Sequence, residues 1–200
     1  MPSDSSKRTW NHLLLDLGEF VVELVKVVLI SLVIILPIRY YVVQPFYVKG
    51  ASMEPTFFDH EYLLIDEISY IFQKSERGTV VVFRYPRDPR QYFIKRVVGL
   101  PGETVHIRDG QVSISRPGST EENILDEPYL DGAITTVGEV DTVVPSGSYF
   151  LMGDNRGASL DSRIFGAVPE RYIIGRVWLR AWPLDRLTAF KYSDGLAISY

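Results

Sequence analysis

Two patterns of apolar and polar positions divide the chain. From His12 to Lys26 the charges Asp16, Glu19, Glu23 and Lys26 recur at steps of three and four among leucines and valines. That spacing predicts a helix with its charges on one face, and Glu23 and Lys26 form an i,i+3 pair of opposite sign. Beyond Lys26 the polar face disappears. "VVLISLVIILPI", residues 27–38, carries no charge, and up to Val48 only Arg39 interrupts the run. About 22 such residues at about 1.5 Å each cover the roughly 30 Å hydrocarbon core of a bilayer. The expectation is a helix that starts at a membrane surface and then spans, over residues 24–43 or so. A cleaved leader fits less well, because mixed residues precede the apolar run and no A-x-A-like site follows it. Lys7, Arg8 and Lys26 before the span outnumber Arg39 and Lys49 after it, which favours a cytoplasmic N-terminus. Residues 1–45 are then the anchor, and residues 46–200 an extracytoplasmic domain.

After residue 58 the period changes. "EYLLIDEI" (61–68), "TVVVFRY" (79–85), "YFIKRVVG" (92–99), "ETVHIR" (103–108), "QVSIS" (111–115), "SYFLMGD" (148–154) and "YIIGRVWLRAW" (172–182) are short runs rich in Val, Ile, Tyr and Phe. They predict strands, and Asp109-Gly110 between two of them is a hairpin signal. The expected fold class is mainly β, a coiled or barrel-like antiparallel sheet behind the N-terminal helix. Residues 116–146 hold seven acids and one basic residue, Arg116, and read as a solvated insertion between strands.

Composition narrows the chemistry. The apolar share of 46% and charged share of 23% are those of a globular protein. A net charge of −4 argues against a nucleic-acid surface. The absence of cysteine removes disulfides, thiolate catalysis and cysteine-ligated zinc.

A small-residue bend, "VKGASMEPTF" (48–57), offers Ser52 as a nucleophile, and a serine needs a base. His12, His60 and His106 stand in a surface helix, a turn and a strand beside a hairpin, so no Ser-His-Asp triad is built on them, and they are too scattered for a metal site. Lys95 is the other option. On its strand Phe93 and Val97 share its face, and burial there would lower its pKa. A drop of roughly two units from about 10.4 makes the amine usefully neutral near pH 8. "GDNRGASLDSR" (153–163) is a compact polar turn after a strand. By itself it could be a loop in which Asp154, Arg156, Asp161 and Arg163 neutralise one another.

"GASMEPT", "FIKRVVGLPGE" and "GDNRGASLDSR", in that order behind an apolar span, resemble the bacterial type I signal peptidases, as do "EPYL" (127–130) and "WPLDR" (182–186). The resemblance implies a membrane-bound serine protease with a Ser-Lys dyad that cuts exported pre-proteins after a small-x-small motif. Carried over by position, Ser52 is the nucleophile and Lys95 the general base. Ser159 orients the amine, and the Ser52 backbone N–H is an oxyanion donor. Asp161 and Arg163 are an ion pair under the site, Arg96 pairs with Asp154, and Gly50, Met53, Phe93 and Ile94 line the substrate cleft. No cofactor is implied. The partners are signal-peptide-bearing pre-proteins, the lipid bilayer and the export machinery. The location is a bacterial cell membrane or a thylakoid-type internal membrane. Trp178 and Trp182 are placed either at the lipid interface or in the core. Two positions depart from the family pattern. Gly50 stands where a hydroxyl residue gives a second oxyanion bond, leaving that donor to a water or a backbone group. Gly157 stands where an acid is common. A self-cleaving Ser-Lys repressor shares fold and dyad but is soluble and carries a DNA-binding part. A membrane-anchored β-rich binding module would not need Ser52.

Overall fold

The computed structural model describes residues 4–37, 43–68, 74–119, 121–130 and 134–190, with side chains from 17–35 and from residue 44 onward. Helix α1, Asp4–Pro37, forms a unit separate from residues 43–200. Over residues 17–35 nearly every apolar side chain is exposed, as Phe20, Val27, Val33 and Ile35 illustrate. Among the described residues no helix is long and apolar enough to cross a membrane. The stretch with described side chains still contains Glu19, Glu23 and Lys26. Residues 38–42 of the expected span, and the side chain of His12, lie outside what is described.

The second unit is β throughout its core. Its strands are β1 (Val43–Tyr47), β2 (Tyr62–Asp66), β3 (Val80–Tyr85), β4 (Asp88–Gly99), β5 (Thr104–Arg108) and β6 (Gln111–Ser115), then β7 (Glu122–Ile124), β8 (Val140–Val143), β9 (Ser148–Met152), β10 (Val168–Pro169), β11 (Ile173–Trp182) and β12 (Thr188–Ala189). All pairings are antiparallel. One sheet runs β1-β2-β11-β3-β4-β9-β10 with β12 beside β11, and a smaller sheet runs β7-β6-β5-β8.

β3 shows why these residues pair. Val80 and Val82 enter one core cluster with Met53, Phe57 and Leu63, while Val81 and Phe83 enter another with Val97, Tyr149 and Leu151. A strand buried on both faces reads as the unbroken apolar run found there, with alternation deciding which core each side chain joins. A third cluster, with Val98, Phe150 and Met152 facing Val105, Ile107 and Ile114, joins the small sheet to β4 and β9. At the tip of the β5–β6 hairpin Asp109 (φ 52°) and Gly110 (φ 79°) are both left-handed, the backbone that an Asp-Gly turn accommodates best.

The acidic stretch is less of a solvated insertion than its composition predicts. It contributes β7 and β8, and its Leu125 is buried in the small-sheet core. Trp178 and Trp182 are about half exposed, at 43% and 52%, so neither is a core residue.

Candidate active site

Four segments converge. The turn after β1 carries Ser52, β4 carries Lys95 and Arg96, the loop after β9 carries residues 153–163, and the acidic stretch carries Glu127 and Tyr129. Gly50 (φ 85°) starts the first turn in a conformation that side chains rarely adopt, and its N–H donates to Asp59 Oδ1 at 2.9 Å. Asn155 closes the turn on the other side. Its Nδ2 donates to the Ala51 carbonyl at 3.1 Å and its backbone N–H to the Ser52 carbonyl at 3.1 Å. Among the described residues no acceptor takes the Ser52 N–H. Gly153 permits this approach, because a Cβ there would lie 2.4 Å from the Ser52 carbonyl oxygen and 2.2 Å from Ser159 Oγ.

Lys95 Nζ donates to Ser52 Oγ at 2.7 Å and to the Ile94 carbonyl at 2.8 Å. The side chain is buried, and Nζ stands 5.6 Å from the Phe93 ring centroid. Burial pushes the amine down to about 8, against the opposing pull of the Asp161 and Asp154 carboxylates. Ser159 makes no bond to Lys95. Its buried Oγ makes no well-formed hydrogen bond among the described residues; its contact is a loose one to Asp161, whose carboxyl the hydroxyl helps to lower. The Ile94 carbonyl accepts from the amine that Ser159 is expected to orient.

Arg96, next in sequence, has a different environment. Its Nε and Nη2 donate to Asp154 Oδ1 at 2.8 Å and Oδ2 at 2.6 Å, and its Nη1 donates to the Gly78 carbonyl at 2.8 Å. Thr56 Oγ1 adds a bond to Asp154 Oδ2 at 2.6 Å. Asp161 accepts from Arg163 Nε and Nη2, both at 2.8 Å, and from the Gly153 N–H at 3.1 Å. Burial raises the Asp161 carboxyl, but Arg163 and the Gly153 N–H outweigh it and leave the pKa below the ordinary value.

Two sequence expectations need correction. Met53 is fully buried in the core with Phe57 and Leu63 and does not line the cleft, because the turn folds it inward and the Met53 carbonyl accepts from the Phe57 N–H. Arg156 is not neutralised within its own loop. It is 1% exposed and pairs with Glu127, its Nη1 reaching Oε2 at 2.8 Å and Thr136 Oγ1 at 2.7 Å. The acidic stretch therefore supplies the counter-charge for the loop after β9. That pairing spans 29 residues, and no local spacing rule reveals it. His60 and His106 stay outside the cleft. His60 is exposed beside Asp59, and His106 bonds Ser115 on the small sheet.

The cleft beside Ser52 holds about 490 Å³ and is lined by Phe46, Val48, Gly50, Tyr92, Phe93 and Ile94 among others. The Phe46 and Tyr92 rings meet edge to face at 5.6 Å, joining β1 to β4. β4 pairs with β9 only from Arg96 onward, so residues 91–95 have one strand edge without a partner among the described residues.

Comparison with known proteins identifies the family. The family profile described as "Signal peptidase, peptidase S26" matches residues 21–182. "Signal peptidase I" of Leptolyngbya laminosa is 38% identical over 174 residues, covering 82% of this chain and 81% of the relative. "Probable signal peptidase I-1" of Synechocystis is 34% identical, covering 84% and 86%, and "Signal peptidase IB" of Staphylococcus aureus is 33% identical, covering 82% and 89%. The chain belongs to the signal peptidase family, peptidase S26.

Proposed function

We propose that this serine endopeptidase removes signal peptides from exported pre-proteins with Ser52 as nucleophile and Lys95 as general base. The observation that carries the assignment is the 2.7 Å contact between Lys95 Nζ and Ser52 Oγ, made by an amine that burial holds near 8. A neutral amine accepts the hydroxyl proton as Oγ attacks the scissile carbonyl. The unengaged Ser52 N–H donates to the oxyanion that forms. The ammonium then protonates the leaving amine, and water, activated by the same lysine, releases the acyl group from Ser52 Oγ. The unpartnered edge of β4 accepts the substrate as an added strand, with Phe46, Tyr92, Phe93 and Ile94 as walls for its small side chains.

The helix supplies location. Exposed apolar residues around α1 call for a lipid or protein covering, and the uncharged run continues beyond Ile35. In this reading residues 24–43 span the membrane with the N-terminus cytoplasmic, and residues 46–200 act outside it, beside the export machinery. Anchoring raises the effective concentration of enzyme at a bond that lies on the membrane surface. The exposed Trp178 and Trp182 fit an interfacial position.

The test is cleavage of a pre-protein by the full chain in lipid vesicles, with the product's new N-terminus sequenced. Cleavage after a small-x-small segment, lost in Ser52→Ala and in Lys95→Ala, is expected. Retained cleavage in either variant would discard the dyad. A vesicle-free chain that stays soluble without detergent would discard the anchor.

A further inference from the structure

Tyr129 sits on the stretch whose composition suggests a solvated loop, yet it touches the charged groups on two segments of the site. Its ring lies over the Arg96 guanidinium, with Arg96 Cζ 3.9 Å from the ring centroid. Its hydroxyl accepts from Arg156 Nη2 at 3.1 Å and donates to Glu127 Oε1. Burial and Glu127 raise its pKa, so the phenol stays protonated. The segment is tied down upstream, where the Leu125 N–H donates to the Val112 carbonyl at 2.9 Å.

Within its own plane Arg96 is already fixed by Asp154, Gly78 and Thr56. Tyr129 supplies the constraint perpendicular to that plane. A guanidinium on an aromatic face is held by the ring quadrupole, most strongly where water is excluded. The consequence for Lys95 is electrostatic. The groups around its amine are Ser52 Oγ and the Ile94 carbonyl, with the carboxylates of Asp154 and Asp161 acting from the loop after β9. Arg163 engages Asp161, and Arg96 engages Asp154.

We propose that Tyr129 is a positioning residue for signal-peptide cleavage, its ring clamping Arg96 against Asp154 and so fixing the charge that Asp154 presents to Lys95. The inference rests on the dyad reading. Without the ring Arg96 can tilt off Asp154, whose charge then acts more fully on the amine. A nearby anion favours the ammonium, so less of the enzyme carries a neutral base at a given pH. The hydroxyl is not needed for this clamp, because its partners are Glu127 and Arg156.

The experiment measures kcat and KM for the detergent-solubilised full chain, on a short peptide ending in a small-x-small motif, from about pH 6 to about pH 10. In Tyr129→Leu, the acid-limb midpoint should rise by about half a unit, and kcat near neutral pH should accordingly fall about threefold with KM unchanged. Tyr129→Phe keeps the ring and should hold the midpoint and kcat to within about twofold. A Leu variant that loses thermal stability but keeps kcat and midpoint overturns the proposal, as does a Phe variant as impaired as the Leu one. If Tyr129→Leu does not fold, Arg96→Lys takes its place, since lysine offers no planar face to the ring. Its midpoint should also rise, and an unmoved midpoint overturns the clamp. Ser52→Ala runs alongside. Activity there sinks the dyad itself, whereas an inactive Ser52→Ala beside an unmoved Tyr129→Leu sinks only the clamp.

Discussion

Lys95 and Arg96 are consecutive on β4 and equally buried, each 3% exposed, yet the fold handles the two cations in opposite ways. Arg96 receives a bidentate carboxylate, a carbonyl and an aromatic face. Lys95 receives a hydroxyl and a carbonyl, with no carboxylate among the described residues bonded to it. Strand alternation makes this possible, since successive side chains leave on opposite faces. The two nearby carboxylates are each committed to an arginine, so they pull on the lysine without neutralising it. A buried cation with a matched anion is structural. A buried cation denied one is suited to the base role proposed for Lys95.

The largest expected effect removes one side of that contrast. Ser52→Ala and Lys95→Ala should each lower kcat/KM by on the order of 10⁴-fold or more, and the double variant should be little worse than either, because nucleophile and base act as a unit. Losses that multiply in the double variant would show two independent contributions and break the dyad.

Stability should separate the two cations by sign. Lys95→Met removes a charge that the fold holds at a cost, and should raise the melting temperature near neutral pH while abolishing activity. Arg96→Met leaves Asp154 buried without its partner, a loss of about 3–5 kcal/mol. Thermal melts of both variants at one pH check this. A destabilised Lys95→Met would mean that its packing and hydrogen bonds outweigh its desolvation.

The same lysine sets the pH dependence. If Lys95 is the base, activity requires its neutral amine, and kcat/KM should rise with a midpoint near about 8, well above the value near 6.5 of a histidine base. Stability moves in the same direction. The folded pKa lies below the ordinary 10.5, so the unfolded chain binds more protons between about 8 and about 10.5, and stability rises with pH across that window. The penalty is fully present below about 8, on the order of 3 kcal/mol. An acid limb near 6.5, or stability flat across the window, would remove the desolvated lysine.

Much of this contrast is legible in the residues. Period two along "YFIKRVV" places Phe93, Lys95 and Val97 on one face, and the core clusters bear this out for Phe93 and Val97. The strand runs and the Asp-Gly hairpin follow from β-branched content and turn chemistry. The partner of Arg156 does not, because Glu127 lies across a stretch whose composition alone suggests solvent, and burial of an ion pair is decided by the tertiary fold. Met53 is missed for a related reason. Being next to the proposed nucleophile in sequence says nothing about which way a turn directs the following side chain. The Ile94 carbonyl leaves no trace at all, since every residue carries one.

Ser159 yields the smallest effect and sharpens the lysine's side of the comparison. Its buried hydroxyl is only loosely engaged, by Asp161, while Lys95 is held by Ser52 and Ile94. A buried hydroxyl without a well-formed hydrogen bond is destabilising, so Ser159→Ala should raise the melting temperature slightly. The ammonium formed when Lys95 takes the Ser52 proton has three N–H donors. Ser52 and Ile94 account for two of them, and the prediction is that the Ser159 oxygen, which sits against Gly153 beside the Ser52 carbonyl, takes the third as the charge forms. The variant should therefore lose about tenfold in kcat with KM unchanged, a cost confined to the charged intermediate. Melting curves and steady-state kinetics on the same preparation decide it. A gain in stability with unchanged kcat would leave the Ile94 carbonyl as the sole support of the amine besides Ser52, and a loss in stability would show that the hydroxyl is engaged before the reaction begins.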